Sequence, residues 1–198
     1  MDSLLLNRNE SAKYGNITIL NTFTLARGRL HECAGRARRS FALILAANTK
    51  GSVLWISTQY STNQLNPTGI EPFTNPGRFL FIKVPSKDDM LWAMENALRS
   101  GAVPLVIADL PYFPALTPVR RLHLAAASGS KLGKVSPVGL ILTPDIGGAQ
   151  GVETRWTLQP RAQKSYAGWC LSRTKSRNEP PQKWHIMQTL ENSFTIAR

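Results

Sequence analysis

A mostly parallel α/β sheet flanked by helices, with an antiparallel extension towards the C-terminal end, is the fold this sequence predicts. Three observations carry the prediction. Short apolar runs alternate with helical patterns between residues 29 and 142. One run, "VPLVIADL" (103–110), is apolar almost throughout, as a strand covered on both faces must be. Beyond residue 142, strand-like segments follow one another with no helix between them, which suits antiparallel neighbours.

Residues 1–24 are polar and weakly patterned, an N-terminal segment expected to be partly flexible, in which Ile17, Ile19 and Leu20 could add a short edge strand. "GRLHECAG" reads as a strand and "RRSFALILAANT" as a buried helix. "SVLWIS" (52–57) and "RFLFIKV" (78–84) are apolar strands, with turns at Asn66-Pro67 and Asn75-Pro76-Gly77 between them. "SKDDMLWAMENALRSG" is the clearest helix. Ser86 can cap it, Asp89 stands where a capping-box partner belongs, Leu91, Met94 and Leu98 form its apolar stripe, widened by Trp92 and Ala97, and Gly101 ends it. Thr117-Pro118 opens a further helix, expected to run to Gly129. "VGLIL" (138–142) is a strand, "DIGGAQG" a glycine-rich loop and "ETRWTLQP" an alternating strand. These elements make up a core over residues 25–160. Residues 161–183 are basic and patternless, and "KWHIMQTL" (183–190) suggests a last strand in a basic C-terminal tail over 161–198.

The chain of 198 residues can bury a sizeable core. Its formal net charge of +12 favours an acidic partner, most often nucleic acid. Two cysteines, Cys33 and Cys170, form no C-x-x-C pair and argue for a reduced compartment. "MDSLLLNRNES" lacks the apolar run of a secretory signal, and no segment approaches the ~20 apolar residues of a membrane span. The expectation is a soluble, cytoplasmic protein without a membrane partner.

"GRARRSFAL" (35–43) lies between a strand and a helix, where a phosphate-binding loop sits. Such a loop reads G-x-x-x-x-G-K-[ST]. Gly35 starts it here, but Ser40 holds the second glycine position, Phe41 the lysine position and Ala42 the position of the magnesium-binding hydroxyl. Losing several charge-assisted bonds, each worth about 1.5–3 kcal/mol, weakens nucleotide binding by orders of magnitude. No nucleotide cofactor and no catalytic residue are therefore expected. Arg36, Arg38 and Arg39 could still hold an anion at the helix start. Asp109, ending "PLVIAD", reads as a cap or turn residue.

The succession "GRLHE", "DDMLWAMENALRSGAV", "RRLHLAA", "TRW" and "PPQKWHI" resembles the RecA core and, more closely, the ImuA proteins over residues 24 to about 190. ImuA proteins are RecA-related accessory factors of damage-induced mutagenesis. The resemblance implies a non-catalytic role in translesion DNA synthesis, as part of the SOS response. Its partners would be an ImuB-type relative of Y-family polymerases and DNA, with an error-prone replicative-type polymerase and RecA as further ones. Gln59 then stands where a RecA-class hydrolase keeps a catalytic glutamate. Stretches 110–118 and 145–153 correspond to loops that grip single-stranded DNA in RecA. SulA, an SOS inhibitor of cell division, is another RecA-like relative without a working ATP site, so an inhibitor of that kind is the alternative. A residual ATPase supported by the arginines is a third reading.

His31 and Cys33 share one strand face, but no other ligand is close in sequence, so core positions are favoured over a metal site. Besides the arginines of the Gly35 loop, basic residues cluster in two further places, the second of which also includes Arg155 and Lys183. Arg120 and Arg121, with Lys131 and Lys134, lie in a stretch free of acids. Arg161, Lys164, Arg173, Lys175 and Arg177 belong to the tail, near Tyr166, Trp169 and Trp184. Basic plus aromatic residues suit a contact with single strands, the cations tracking the backbone and the rings stacking on bases. The same tail could equally serve only as a docking segment for the polymerase-like partner.

Overall fold

The computed structural model describes residues 13–161, 168–189 and 193–196. A nine-stranded sheet runs through the molecule. In chain order its strands are β3 (Leu30–Ala34), β4 (Val53–Thr58), β5 (Phe79–Val84), β6 (Leu105–Asp109), β7 (Val138–Leu142), β8 (Thr154–Arg161), β9 (Gly168–Ser176), β10 (Gln182–Gln188) and β11 (Phe194–Ile196). In space they are ordered β11-β10-β9-β8-β3-β7-β6-β4-β5. All strands from β8 to β5 are parallel, and β8 to β11 are joined antiparallel. The expected mostly parallel sheet with an antiparallel extension is present.

One face of the sheet is covered by α1 (Arg38–Ala47) and a separate hairpin of β1 (Asn16–Ile19) and β2 (Phe23–Ala26). The other is covered by α3 (Lys87–Ser100) and α4 (Leu116–Leu132), which pack over β3, β4, β6 and β7. The loop between β4 and β5 holds the one-turn helix α2 (Pro67–Ile70), capped by Asn66, whose Oδ1 accepts from the Gly69 N–H at 2.6 Å.

The N-terminal expectation needs correction. Ile17, Ile19, Phe23 and Leu25 alternate inward from the hairpin and are buried against α1 and the sheet. The expected boundary after residue 24 falls inside β2. Leu20 is in the turn rather than the strand, with Asn21 beside it, both at positive φ (49° and 52°). Two four-residue strands around a leucine in a left-handed turn give too short an alternation to be read reliably.

α3 starts and stops as the sequence predicts. The Ser86 hydroxyl accepts from the Asp89 N–H at 3.2 Å and donates to the Asp89 carboxylate at 2.6 Å. Gly101 closes the helix at φ +56°. Met94 and Leu98 are buried as expected, but Met90 takes the place given to Leu91, which is half-buried like Ala97, and Trp92, expected to widen the stripe, is exposed. α4 departs further. Ala115, not Thr117, is its N-cap, and the helix passes through Gly129 to Leu132. Gly129 lies where the two helices touch: a Cβ there would stand 2.0 Å from the Leu98 carbonyl oxygen. Contact, not termination, explains this glycine.

The largest correction concerns residues 161–183. Much of this stretch is β9, a full member of the sheet, with β10 and β11 outside it. Trp156, Leu158, Trp169, Leu171, Trp184 and Ile186 point to the α1 side and extend the core. The alternation of β9 is masked in sequence by Arg173 at an inward position.

Candidate functional site

The loop after β3 has the outline of a phosphate loop, and its amides are already used. The Gly35 N–H donates to the Asp145 carbonyl (2.9 Å), Ala37 to Leu158 (3.0 Å) and Arg38 to Gly35 (3.2 Å). The Arg36 N–H donates to Oε1 of Gln159 at 3.2 Å. Four successive N–H groups that would cradle a phosphate thus bind protein oxygens, two of them on β8. Gly35 is required by this closure: its φ is +94°, and a Cβ would meet the Leu158 carbonyl oxygen at 2.5 Å. Phe41 and Ala42 are fully buried, and Phe41 stacks on Trp156 with ring centroids 5.7 Å apart. The positions of the missing lysine and hydroxyl have become core. Ser40 is half-buried on the first turn of α1.

The three arginines do not act together. Arg36 is exposed. Arg39 places Nε and Nη2 each 2.6 Å from Oδ2 of Asp109, and Arg38 Nε lies 3.7 Å from Oδ1. Asp109, whose side chain is almost entirely buried, is therefore an ion-pair partner rather than a cap or turn residue. A crevice of about 290 Å³ opens beside it, lined by Arg38, Arg39, Thr58, Tyr60, Ser61 and Pro111 among others. Gln59 is exposed at the end of β4.

The sequence reading missed Glu32. Its carboxylate, fully buried on β3, accepts from the Thr143 hydroxyl (2.7 Å), the Gly148 and Ala149 amides (2.9 and 3.1 Å) and Nε of Arg155 (2.5 Å). Nη2 of Arg155 in turn donates to the Ala149 carbonyl at 2.7 Å. The glycine-rich loop after β7 is thereby fastened to the sheet. The signal available in sequence was an acid inside a strand, followed much later by an arginine in "ETRW".

Both buried histidines are satisfied by hydrogen bonds. His31 has Nδ1 2.7 Å from the Thr154 hydroxyl and Nε2 2.9 Å from the Ala26 carbonyl. His123 accepts the Leu30 N–H at Nδ1 (3.3 Å) and donates from Nε2 to the Gly151 carbonyl (3.0 Å). Burial lowers their pKa values to about 4 and about 3 respectively. Burial also raises the Cys33 thiol well above its ordinary range, with the Glu32 charge adding to the effect. Among the described residues no three His, Cys, Asp or Glu side chains are placed to hold a metal.

The basic residues expected to meet DNA or a partner are dispersed. Arg120 is exposed, while Arg121 pairs with Glu95 (2.7 Å), as does Arg99. Trp169 is buried against Phe73 and Phe194, with centroids at 6.5 and 5.9 Å, and cannot stack on a base. Arg173 is only 4% exposed. It lies over the rings of Trp156 and Trp184 (5.6 and 5.4 Å), donates to the Pro180 carbonyl and pairs with Glu179. Arg177 pairs with Glu153 at 3.6 Å and donates to the Gly151 carbonyl. Arg161 and Lys175 are exposed. Lys164 and Tyr166 lie outside the described residues. Of the tail's expected ligands, then, Trp169 and Arg173 are corrected to core positions: antiparallel pairing between β8 and β10 turns their side chains inward.

Among the described residues no helix is long and apolar enough to cross a membrane. No protein-family model matches this sequence, and no curated protein matches it either.

Proposed function

We propose that the protein is a non-hydrolysing, RecA-like binding module that works as an accessory of damage-induced translesion DNA synthesis, in the manner of the ImuA proteins. It would act beside an ImuB-type polymerase relative and DNA, with an error-prone replicative-type polymerase and RecA as further partners. The observation that carries the non-catalytic part is the closed loop. The amides of Gly35, Arg36, Ala37 and Arg38 are bound by protein oxygens, and Phe41 fills the core. A nucleotide phosphate would have to displace β8 contacts to enter. The sequence resemblance and the net charge of +12 support the placement near DNA.

The test is nucleotide turnover and thermal shift with ATP and Mg²⁺. The wild-type protein should hydrolyse no ATP above a blank, and nucleotide should not raise its Tm. The pair Phe41→Lys with Ala42→Thr, which restores the consensus residue types, should also fail to bind and should lower stability, because a lysine would enter an apolar core. Micromolar, Mg²⁺-dependent ATP binding by the wild type would overturn the reading. Co-purification with an ImuB-type partner tests the accessory role.

A further inference from the structure

The sheet is covered unevenly. On the side of α3 and α4 the helices pack over β3, β4, β6 and β7, and their core contains no residue of β8 to β11. The same side of β8, β9, β10 and β11 is covered by no helix among the described residues and forms a ledge about 14 Å across for four strands at 4.7–4.9 Å spacing. Its residues follow from the pairing register. Thr157, Ser172 and Lys183 form one row across the strands, and Gln159, Cys170 and His185 the next. Lys175, opposite Arg155, stands at one end of the ledge and Arg161 at the other. The opposite side of these strands holds Trp156, Leu158, Leu171 and Trp184 in the core.

Among the described residues of these rows the charge has one sign. Arg161, Lys175 and Lys183 are exposed, and none has a carboxylate partner among the described residues. Of the acids near it, three are spent, and Asp145 is exposed on the loop after β7 with its carbonyl on the Gly35 N–H. Glu32 is buried beneath Arg155, while Glu153 and Glu179 pair with Arg177 and Arg173. Hydroxyl and amide groups of Thr157, Gln159 and Ser172 fill the space between the cations. Arg36 is exposed close by, its N–H held by Gln159.

We propose that this ledge is the protein's single-stranded DNA surface and that it binds the sugar–phosphate backbone rather than the bases. The inference rests on the nucleic-acid part of the proposed function and gives it a location. Cations interspersed with neutral hydrogen-bonding groups match a row of phosphates. Among the described residues no indole or phenol ring projects from the rows, since Trp169 and Trp184 face the core, and the exposed His185 imidazole is the single ring there, so base stacking contributes little. The ledge is narrow and bordered by the helical layer, which favours one strand over a duplex. Binding should therefore be indifferent to base identity and steeply dependent on salt.

The experiment is a fluorescence-anisotropy titration of the full chain with labelled oligo-dT and oligo-dA at low and high salt. The variants are Arg161→Glu with Lys183→Glu and, as a control of equal charge change on the far side of the molecule, Lys50→Glu with Lys83→Glu. Melting curves check that each variant is folded. The wild type should bind both oligonucleotides alike and lose affinity with salt. The ledge variant should lose on the order of tenfold or more, and the control much less. As a second readout, a maleimide photo-crosslinker on Cys170, which is half-buried on the ledge while Cys33 is fully buried, should capture the strand. Wild-type binding with an unchanged ledge variant and no capture at Cys170 overturns the ledge but leaves DNA binding standing, and gives the face to a protein partner. A duplex that competes as well as the single strand overturns the single-strand assignment. No binding by the wild type at low salt overturns the nucleic-acid reading itself.

Discussion

At the scale of single residues, Arg173 is where reading by composition fails most informatively. In sequence it belongs to a run of cations and invites a phosphate. In the fold its guanidinium lies over two indole rings and reaches the Pro180 carbonyl and Glu179. Cation–π contacts contribute about 0.5–2 kcal/mol and hydrogen bonds to charged groups about 1.5–3. Arg173→Ala should therefore destabilise the protein by about 2–4 kcal/mol in denaturant unfolding, while Lys175→Ala should stay within about 0.5 kcal/mol of wild type. Equal effects would show that the ring, Pro180 and Glu179 contacts of Arg173 do not hold the fold. The departure of Phe41 and Ala42 from the phosphate-loop pattern was legible because that pattern consists of residue types at fixed spacing. Glu32 was not legible, because its partners Thr143, Gly148, Ala149 and Arg155 lie more than a hundred residues away and only the sheet brings them together.

At the scale of elements, the two ends of α3 and half of its stripe, Met94 and Leu98, were read because their signals are local. Its cap, stripe and terminal glycine lie within a few turns of each other. The fully buried Leu98 should cost about 2–5 kcal/mol when changed to Ala. Trp92, 65% exposed on the same helix, should cost little when truncated, and a larger loss there than at Leu98 would mean that the other face of the helix is inward. The contact between α3 and α4 gives a sharper test. Alanine is the better helix former by about 1 kcal/mol, so Gly129→Ala should stabilise α4 if propensity decides. A Cβ 2.0 Å from the Leu98 carbonyl oxygen forbids the close approach instead, so the substitution should destabilise. A rise in Tm would show that the helices can separate at no cost. β9 was missed for the converse reason. A strand paired on both sides is specified by its neighbours, and an inward arginine breaks the alternation that would have revealed it.

For the whole molecule, the order of the strands was not legible, since β8 lies beside β3 only through contacts that span the chain. The same long-range packing buries His31 and His123 as neutral rings near the centre of the sheet, and this sets how stability responds to pH. Burial is the main cause of both lowered values. The charge of Arg29 acts on both rings, that of Arg177 on His123, and each makes protonation harder still. The folded values of about 4 and about 3 lie below the ordinary 6.5 of the unfolded chain. Above about pH 6.5 both states hold neutral imidazoles, and the two groups add no slope. As pH falls below that, the unfolded chain takes up two protons that the folded one refuses. Stability then declines by about 1.4 kcal/mol per pH unit for each histidine until the folded values are reached. Between about pH 6.5 and about pH 5 the loss is about 3 kcal/mol, a large share of the 5–15 kcal/mol typical of a domain. Urea unfolding across this range should show the decline, and in His123→Gln, which cannot titrate, the slope should fall by about half. A stability that stays flat down to pH 5 would mean that these rings are protonated in the folded state and that the hydrogen bonds assigned to them are wrong.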